Sequence, residues 1–194
     1  MNPSKHKLNI DSKIIFLDID GVLNTPQYAI QSEERMDAIN PVSVSILNKM
    51  LEVSGAQVVV SSSWRMCFSI EELTVILQNK GLRYPILDYT PVLDSGVQGQ
   101  EISKWIDTNK DHGLWFNEYL ILDDDSDMLY WQRENFVHTP NDTGLTPNIA
   151  YRAINRLRGK RNWVEDDIIG YESDYCLTEY MEQWVLKKQS VEES

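Results

Sequence analysis

Two aspartates, two residues apart, close an apolar run in "IIFLDIDGVLN" (14–24). In an extended segment residues i and i+2 point the same way, so Asp18 and Asp20 can reach one ligand. Unpaired carboxylates at the end of a buried strand are costly, so something bound or reacting there must compensate them. A second aliphatic run, "AQVVVSSSW" (56–64), ends in the hydroxyls of Ser61 to Ser63. A third, "EYLILDDD" (118–125), ends in acids, with Asp123, Asp124, Asp125 and Asp127 in succession. Carboxylates converging on one crevice cannot all stay ionised without a counter-charge. No histidine or cysteine cluster accompanies them, so the donors are hard oxygens, a set that suits Mg²⁺ together with phosphate oxygens and water. Beside such an ion one carboxylate can attack phosphorus. A second can protonate the leaving group and then activate water. The Ser61 hydroxyl and the amides after it can hold the phosphoryl oxygens.

The elements that must position these groups are legible as alternating patterns. The aliphatic run from Lys13 to Ile19 and the two later runs have the character of strands covered on both faces. "YPILD" (84–88) and "NFVHT" (135–139) are weaker strand candidates. Between them, 41–53 opens with Pro41 and repeats apolar residues at helical spacing. Ser69 and Glu72 form a capping box ahead of "LTVILQNKG". Residues 100–106 form a short amphipathic helix, and 146–159 is a helix capped by Thr146 with Pro147 next. Strands alternating with helices specify a doubly wound α/β fold, a Rossmann-like three-layer sandwich with a central parallel sheet. In such sheets ligands bind at the carboxyl ends of the strands, where all three polar strand ends lie. The core is expected over 1–159. Residues 25–40 are too few for a separate cap and suit a small flap, leaving a crevice open to a bulky substrate. Residues 160–194, helical at 178–188, are expected to pack on the core as an extension.

With 194 residues and 42% hydrophobic content the chain can bury one full core. Its formal net charge of -12 opposes generic DNA binding but not a small phosphorylated substrate or a nucleic-acid end held locally. Cys67 and Cys176 are too few for a zinc motif or a disulfide framework, as in a reducing compartment. "MNPSKHKLNIDSK" has no signal-peptide core and no apolar run nears the roughly 20 residues that span a bilayer. The expectation is a cytoplasmic protein without membrane partners; the sequence does not specify its oligomeric state.

These residues carry a family resemblance. "DIDGVLN", "VVVSSSW" and "LILDDDSD" resemble, in order and spacing, the first, second and fourth motifs of the haloacid dehalogenase (HAD) superfamily of phosphatases, over about residues 13 to 146. "SSSWR" (61–65), "EISKW" (101–105) and "GLT" (144–146) are similar to a small branch of phosphatase-like domains associated with RNA repair proteins. The resemblance implies a HAD-like fold with minimal or no cap. It implies a Mg²⁺-dependent phosphomonoester hydrolase acting through an aspartyl-phosphate on a nucleotide or nucleic-acid terminal phosphate. Asp18 would be the nucleophile and Asp20 the general acid/base. The Asp18 side chain and the Asp20 carbonyl would bind Mg²⁺, completed by Asp123 with Asp124 or, in another register, with Asp127. Ser61 would hold phosphate, helped by Ser62. One position departs from the pattern: the third motif supplies a lysine or arginine where this chain has Gln98. Arg65 or Lys104 could stand in. The alternative is a weak or inactive module that keeps the phosphate and metal crevice for binding, with Gln98 among its contacts.

Plainer roles compete at single positions. Trp64 suits a core position, and Asn24 suits local hydrogen bonding that shapes its loop. Arg65 is balanced between a surface ion pair and a phosphate contact. His112 and His138 are isolated. Arg152, Arg156, Arg158, Lys160 and Arg161 suit the solvated C-terminal end of a helix more than a nucleotide anchor.

Overall fold

A computed structural model describes residues 13–30, 35–111 and 118–158. The expected extension over 160–194, His112, Gly159, Lys160 and Arg161 lie outside the described residues. Five strands form one sheet: β1 (Lys13–Leu17), β2 (Ala56–Val60), β3 (Ile86–Tyr89), β4 (Glu118–Asp123) and β5 (Phe136–His138). Their order is β3-β2-β1-β4-β5 and every pairing is parallel. The chain builds outward from β1 to β3, then crosses to the other side for β4 and β5. The reversal falls between β1 and β4, where a doubly wound sheet opens its ligand crevice.

Alternation along β1 explains why that strand is apolar from Ile14 to Leu17. Ile15 and Leu17 face one core with Leu47 and Leu51 of α2 (Pro41–Ser54), Leu73 and Leu77 of α3 (Ile70–Asn79), and Ala153 and Leu157 of α5 (Pro147–Leu157). Ile14 and Phe16 face a smaller core with Ile102, Trp105 and Ile106 of α4 (Gln98–Asp111). The Phe16 and Trp105 rings meet edge to face at 5.3 Å, a favoured aromatic geometry. The helix starts fall where their caps put them. Asn40 accepts from the Val42 N–H ahead of Pro41, Ser69 and Glu72 complete a capping box, and Thr146 accepts from the Ile149 N–H. Helix α4 begins at Gln98, two residues earlier than its sequence pattern suggests. No described helix is long and apolar enough to cross a membrane.

The segment between β1 and α2 forms two short turns among its described residues: α1 (Pro26–Ala29) and a 3₁₀ turn at Arg35–Ala38. It leaves through Thr25, whose hydroxyl caps α1, and returns at Asn40, whose N–H donates to the Leu23 carbonyl at 2.8 Å. Departure and return therefore lie side by side. At the C-terminal end of α5, Arg156 donates to the Phe136 carbonyl and Lys13 Nζ to the Leu157 carbonyl. Part of the basic cluster therefore ties α5 to the sheet.

Candidate active site

The strand register aligns the three polar ends. Leu17 sits opposite Val60 on one side and Leu122 on the other. The Asp18 N–H donates to the Leu122 carbonyl at 3.0 Å, and the Ser61 N–H to the Leu17 carbonyl at 2.9 Å. Asp18 therefore stands between Ser61 and Asp123, one step past the last paired residues.

Carboxylate oxygens of Asp18, Asp123 and Asp124 all lie within 4.8 Å of one another. Burial, opposed by hydrogen bonds from the Ser62 hydroxyl and the Ile19 N–H and reinforced by the charges of Asp20 and Asp124, raises Asp18 to about 7. Asp123, only 1% exposed, is pushed up to about 9, chiefly by burial and then by the charge of Asp18. Asp124 is also raised, with burial again the main cause. One Asp123 oxygen accepts from the Asp125 N–H at 2.9 Å; the other, Oδ2, is buried with no hydrogen-bond partner. Three mutually repelling carboxylates, one with an orphaned buried oxygen, form a donor set that fits a hard divalent cation. Asp127 takes a different contact. Its Oδ2 accepts from the Gln98 N–H at 2.9 Å, while its charge still helps to raise Asp123.

The turn after β1 is held by its own side chains. Gly21 adopts φ +70° and lies so close to Asp124 that a Cβ would stand 2.2 Å from the Asp124 Cγ. Any side chain would displace that carboxylate. Asn24 accepts from the Gly21 N–H at 3.1 Å and donates to Asp20 Oδ1 at 2.7 Å, the loop-shaping role its position suggests. The late "GLT" segment closes over the same turn. The Leu145 N–H donates to the Val22 carbonyl at 2.8 Å, and Gly144 at φ +65° packs where a Cβ would come within 2.8 Å of that oxygen.

At the end of β2 the two serines divide their contacts. The Ser61 hydroxyl accepts from Thr90 Oγ1 at 3.4 Å, and its carbonyl accepts from the Gln98 side-chain amide. The hydroxyl that reaches Asp18 belongs to Ser62, which also caps the 3₁₀ turn Ser63–Met66. Gln98 thus ties the β2 end to the acidic loop through its side chain and its backbone. The Arg65 side chain is nearly covered: one guanidinium nitrogen donates to the Ser62 carbonyl at 2.6 Å and the other pairs with Glu101. Glu101 also accepts from the Leu93 N–H at 3.0 Å. Lys104 is exposed on α4, and His138 lies with Nε2 3.0 Å from the Asp124 carbonyl.

Two residues that the sequence reading did not place among the site residues touch them. Trp64 is fully buried, as a core position requires, yet its indole N–H donates to Asp20 Oδ1 at 3.0 Å. Glu101 neutralises Arg65. The signal for both lay in the clustered motifs "SSSWR" and "EISKW", whose outer residues pair across the fold.

A family model described as the HAD domain in Swiss Army Knife RNA repair proteins matches residues 14–150. A search of curated proteins finds no match to this chain.

Proposed function

The chain belongs to the family of HAD domains in Swiss Army Knife RNA repair proteins, and on that premise we propose that it is a magnesium-dependent phosphomonoester hydrolase working through an aspartyl-phosphate. Its substrate in this reading is a nucleotide or a nucleic-acid terminal phosphate. The observation that carries the reading is the packing of Asp18 against Asp123 and Asp124 beside the Ser62 hydroxyl. Mg²⁺ held by Asp18, Asp123 and Asp124, with Asp127 and the Asp20 carbonyl at the margin, would lower the charge of both nucleophile and phosphate. The ionised Asp18 attacks phosphorus. Asp20 gives a proton to the departing oxygen and then takes one from the attacking water. Ser61, Ser62 and the amides that follow them orient the phosphoryl oxygens, with Gln98 and Arg65 bracing that corner. Two supports favour a nucleic-acid-related substrate: the family's description, and a segment over 25–40 too short for a separate cap domain. Exposed Tyr130 and Trp131, on the segment that leaves the acidic loop, add aromatic surface of the kind bases stack on.

Phosphate release from p-nitrophenyl phosphate, nucleoside monophosphates and 5′- and 3′-phosphorylated oligonucleotides tests this, with Mg²⁺ or chelator. Release is expected only with Mg²⁺ and should be abolished by Asp18→Asn without loss of fold. Turnover surviving in that variant would remove Asp18 as nucleophile. The second reading, a phosphate- and metal-binding module, draws on the neutral Gln98 where a cation would help. Its signature is Mg²⁺-dependent thermal stabilisation with no release from any substrate.

A further inference from the structure

The geometry points to Trp64 as a positioning residue that, with Asn24, holds the Asp20 carboxylate in the orientation its proton transfer needs. This rests on the phosphatase reading above. Trp64 Nε1 at 3.0 Å and Asn24 Nδ2 at 2.7 Å both donate to the same atom, Asp20 Oδ1. A carboxylate oxygen offers about two lone-pair sites, and two N–H donors occupy both. Oδ1 is thus held from two sides, and the orientation of the whole carboxylate is set with it.

The two donors reach Asp20 from different elements. Asn24 stands on the β1 turn, fixed by its bond from the Gly21 N–H. Trp64 stands on the 3₁₀ turn after β2, fully buried and packed against Phe68 with ring centroids 5.6 Å apart. That turn is capped by Ser62, whose hydroxyl touches Asp18. One short turn therefore contacts both the nucleophile and the acid/base and holds their relative placement. A buried indole normally directs its N–H to a polar partner; here that partner is a carboxylate that the proposed reaction uses.

In the first half-reaction the Asp20 proton passes to the ester oxygen as its bond to phosphorus breaks and the bond from Asp18 to phosphorus forms. The electron pair of the broken bond leaves with the ester oxygen. In the second, Asp20 takes a proton from the water that attacks phosphorus, and the electrons of the Asp18–phosphorus bond return to Asp18.

The test compares kcat/KM of wild type and Trp64→Phe on two esters of matched size, with Mg²⁺. Phenyl phosphate needs its leaving oxygen protonated, whereas p-nitrophenyl phosphate does not. General acid catalysis contributes about 100-fold or more, so a misaligned Asp20 should lower kcat/KM for phenyl phosphate by roughly 10- to 100-fold. The nitrophenyl ester should change less than about threefold. An equal fall on both esters, or no change on either, would overturn the assignment. Benzothienylalanine at position 64 keeps the shape without the N–H and should reproduce the split even where the phenylalanine variant fails to fold. Wild-type rates on both esters in that variant would overturn it. A wild type inert toward both esters would overturn the phosphatase reading and this role with it. The contact itself is read separately, by NMR of the indole N–H of Trp64 in wild type and Asp20→Ala.

Discussion

Replacing Asp123 by asparagine removes one of three carboxylates crowded at the β1 and β4 ends, and it should stabilise the metal-free protein at alkaline pH. Burial and mutual repulsion raise Asp18 to about 7 and Asp123 to about 9 from ordinary values of 3.8. An acid raised in the folded state keeps a proton that the unfolded chain has released. Stability is therefore greatest below about pH 4 for these groups and falls as pH rises toward the folded values. Between pH 5 and pH 8 the fold holds at least about one extra proton, which over three pH units costs about 4 kcal/mol. For a chain of this size that corresponds to roughly 8–16 °C in Tm. The general repulsion of an acidic surface adds its own slope, so the difference between wild type and variant is the quantity to read. Scanning calorimetry from pH 5 to 8.5 in chelator should show wild type losing Tm steeply and Asp123→Asn losing much less. The two should converge near pH 5 and the variant should melt higher at pH 8. Added Mg²⁺ at pH 8 should restore the wild type and leave the variant nearly unmoved. Parallel pH curves for the two proteins, or a variant less stable at pH 8, would refute the view that this cluster stores repulsion a cation relieves.

Two further substitutions probe the frame around the cluster. Gly21→Ala places a methyl where the Asp124 carboxylate now sits and adds left-handed backbone strain of about 1–2 kcal/mol. It should lower turnover at least about tenfold and abolish most of the Mg²⁺-induced rise in Tm, with circular dichroism unchanged; a wild-type Mg²⁺ response would contradict that packing. Glu101→Gln strands the Arg65 guanidinium, whose side chain is only 8% exposed, and should cost about 3–5 kcal/mol in urea denaturation. The double variant Arg65→Met/Glu101→Leu should cost far less, and equal losses in the single and double variants would show that buried charge is not what the pair controls.

The sheet and its crevice were legible because each depends on local chemistry. Aliphatic runs of strand length ended in hydroxyls or acids, and Pro41, Ser69 with Glu72, and Thr146 marked helix starts that the folded chain uses. Even the short β3 and β5 followed from their apolar character. What resisted was long-range or phase-sensitive. Whether Ser61 or Ser62 meets Asp18 turns on one residue of strand phase, and a run of three serines carries no mark of it. Trp64 reads as core because nearly all of its surface is apolar; the single N–H that ties it to Asp20 finds a partner 44 residues away. The Arg65–Glu101 pair spans 36 residues, so neither residue alone announces its counter-charge. Asp124 is brought beside Asp18 by the Gly21 packing and by the turn that follows β4, neither of which the acid run "DDDSD" specifies.

The bond from Leu145 to the Val22 carbonyl, together with that from Thr139 Oγ1 to the Gly21 carbonyl, bears on the order in which a ribosome delivers the parts. β1 emerges before the other described strands, yet it is the central strand and needs β2 and β4 on its flanks. Its turn then waits for Thr139 and Leu145 before its own carbonyls are satisfied. Synthesis therefore releases Asp18 and Asp20 ahead of the segments that complete their geometry, so the acidic cluster closes only when the chain has emerged through the start of α5.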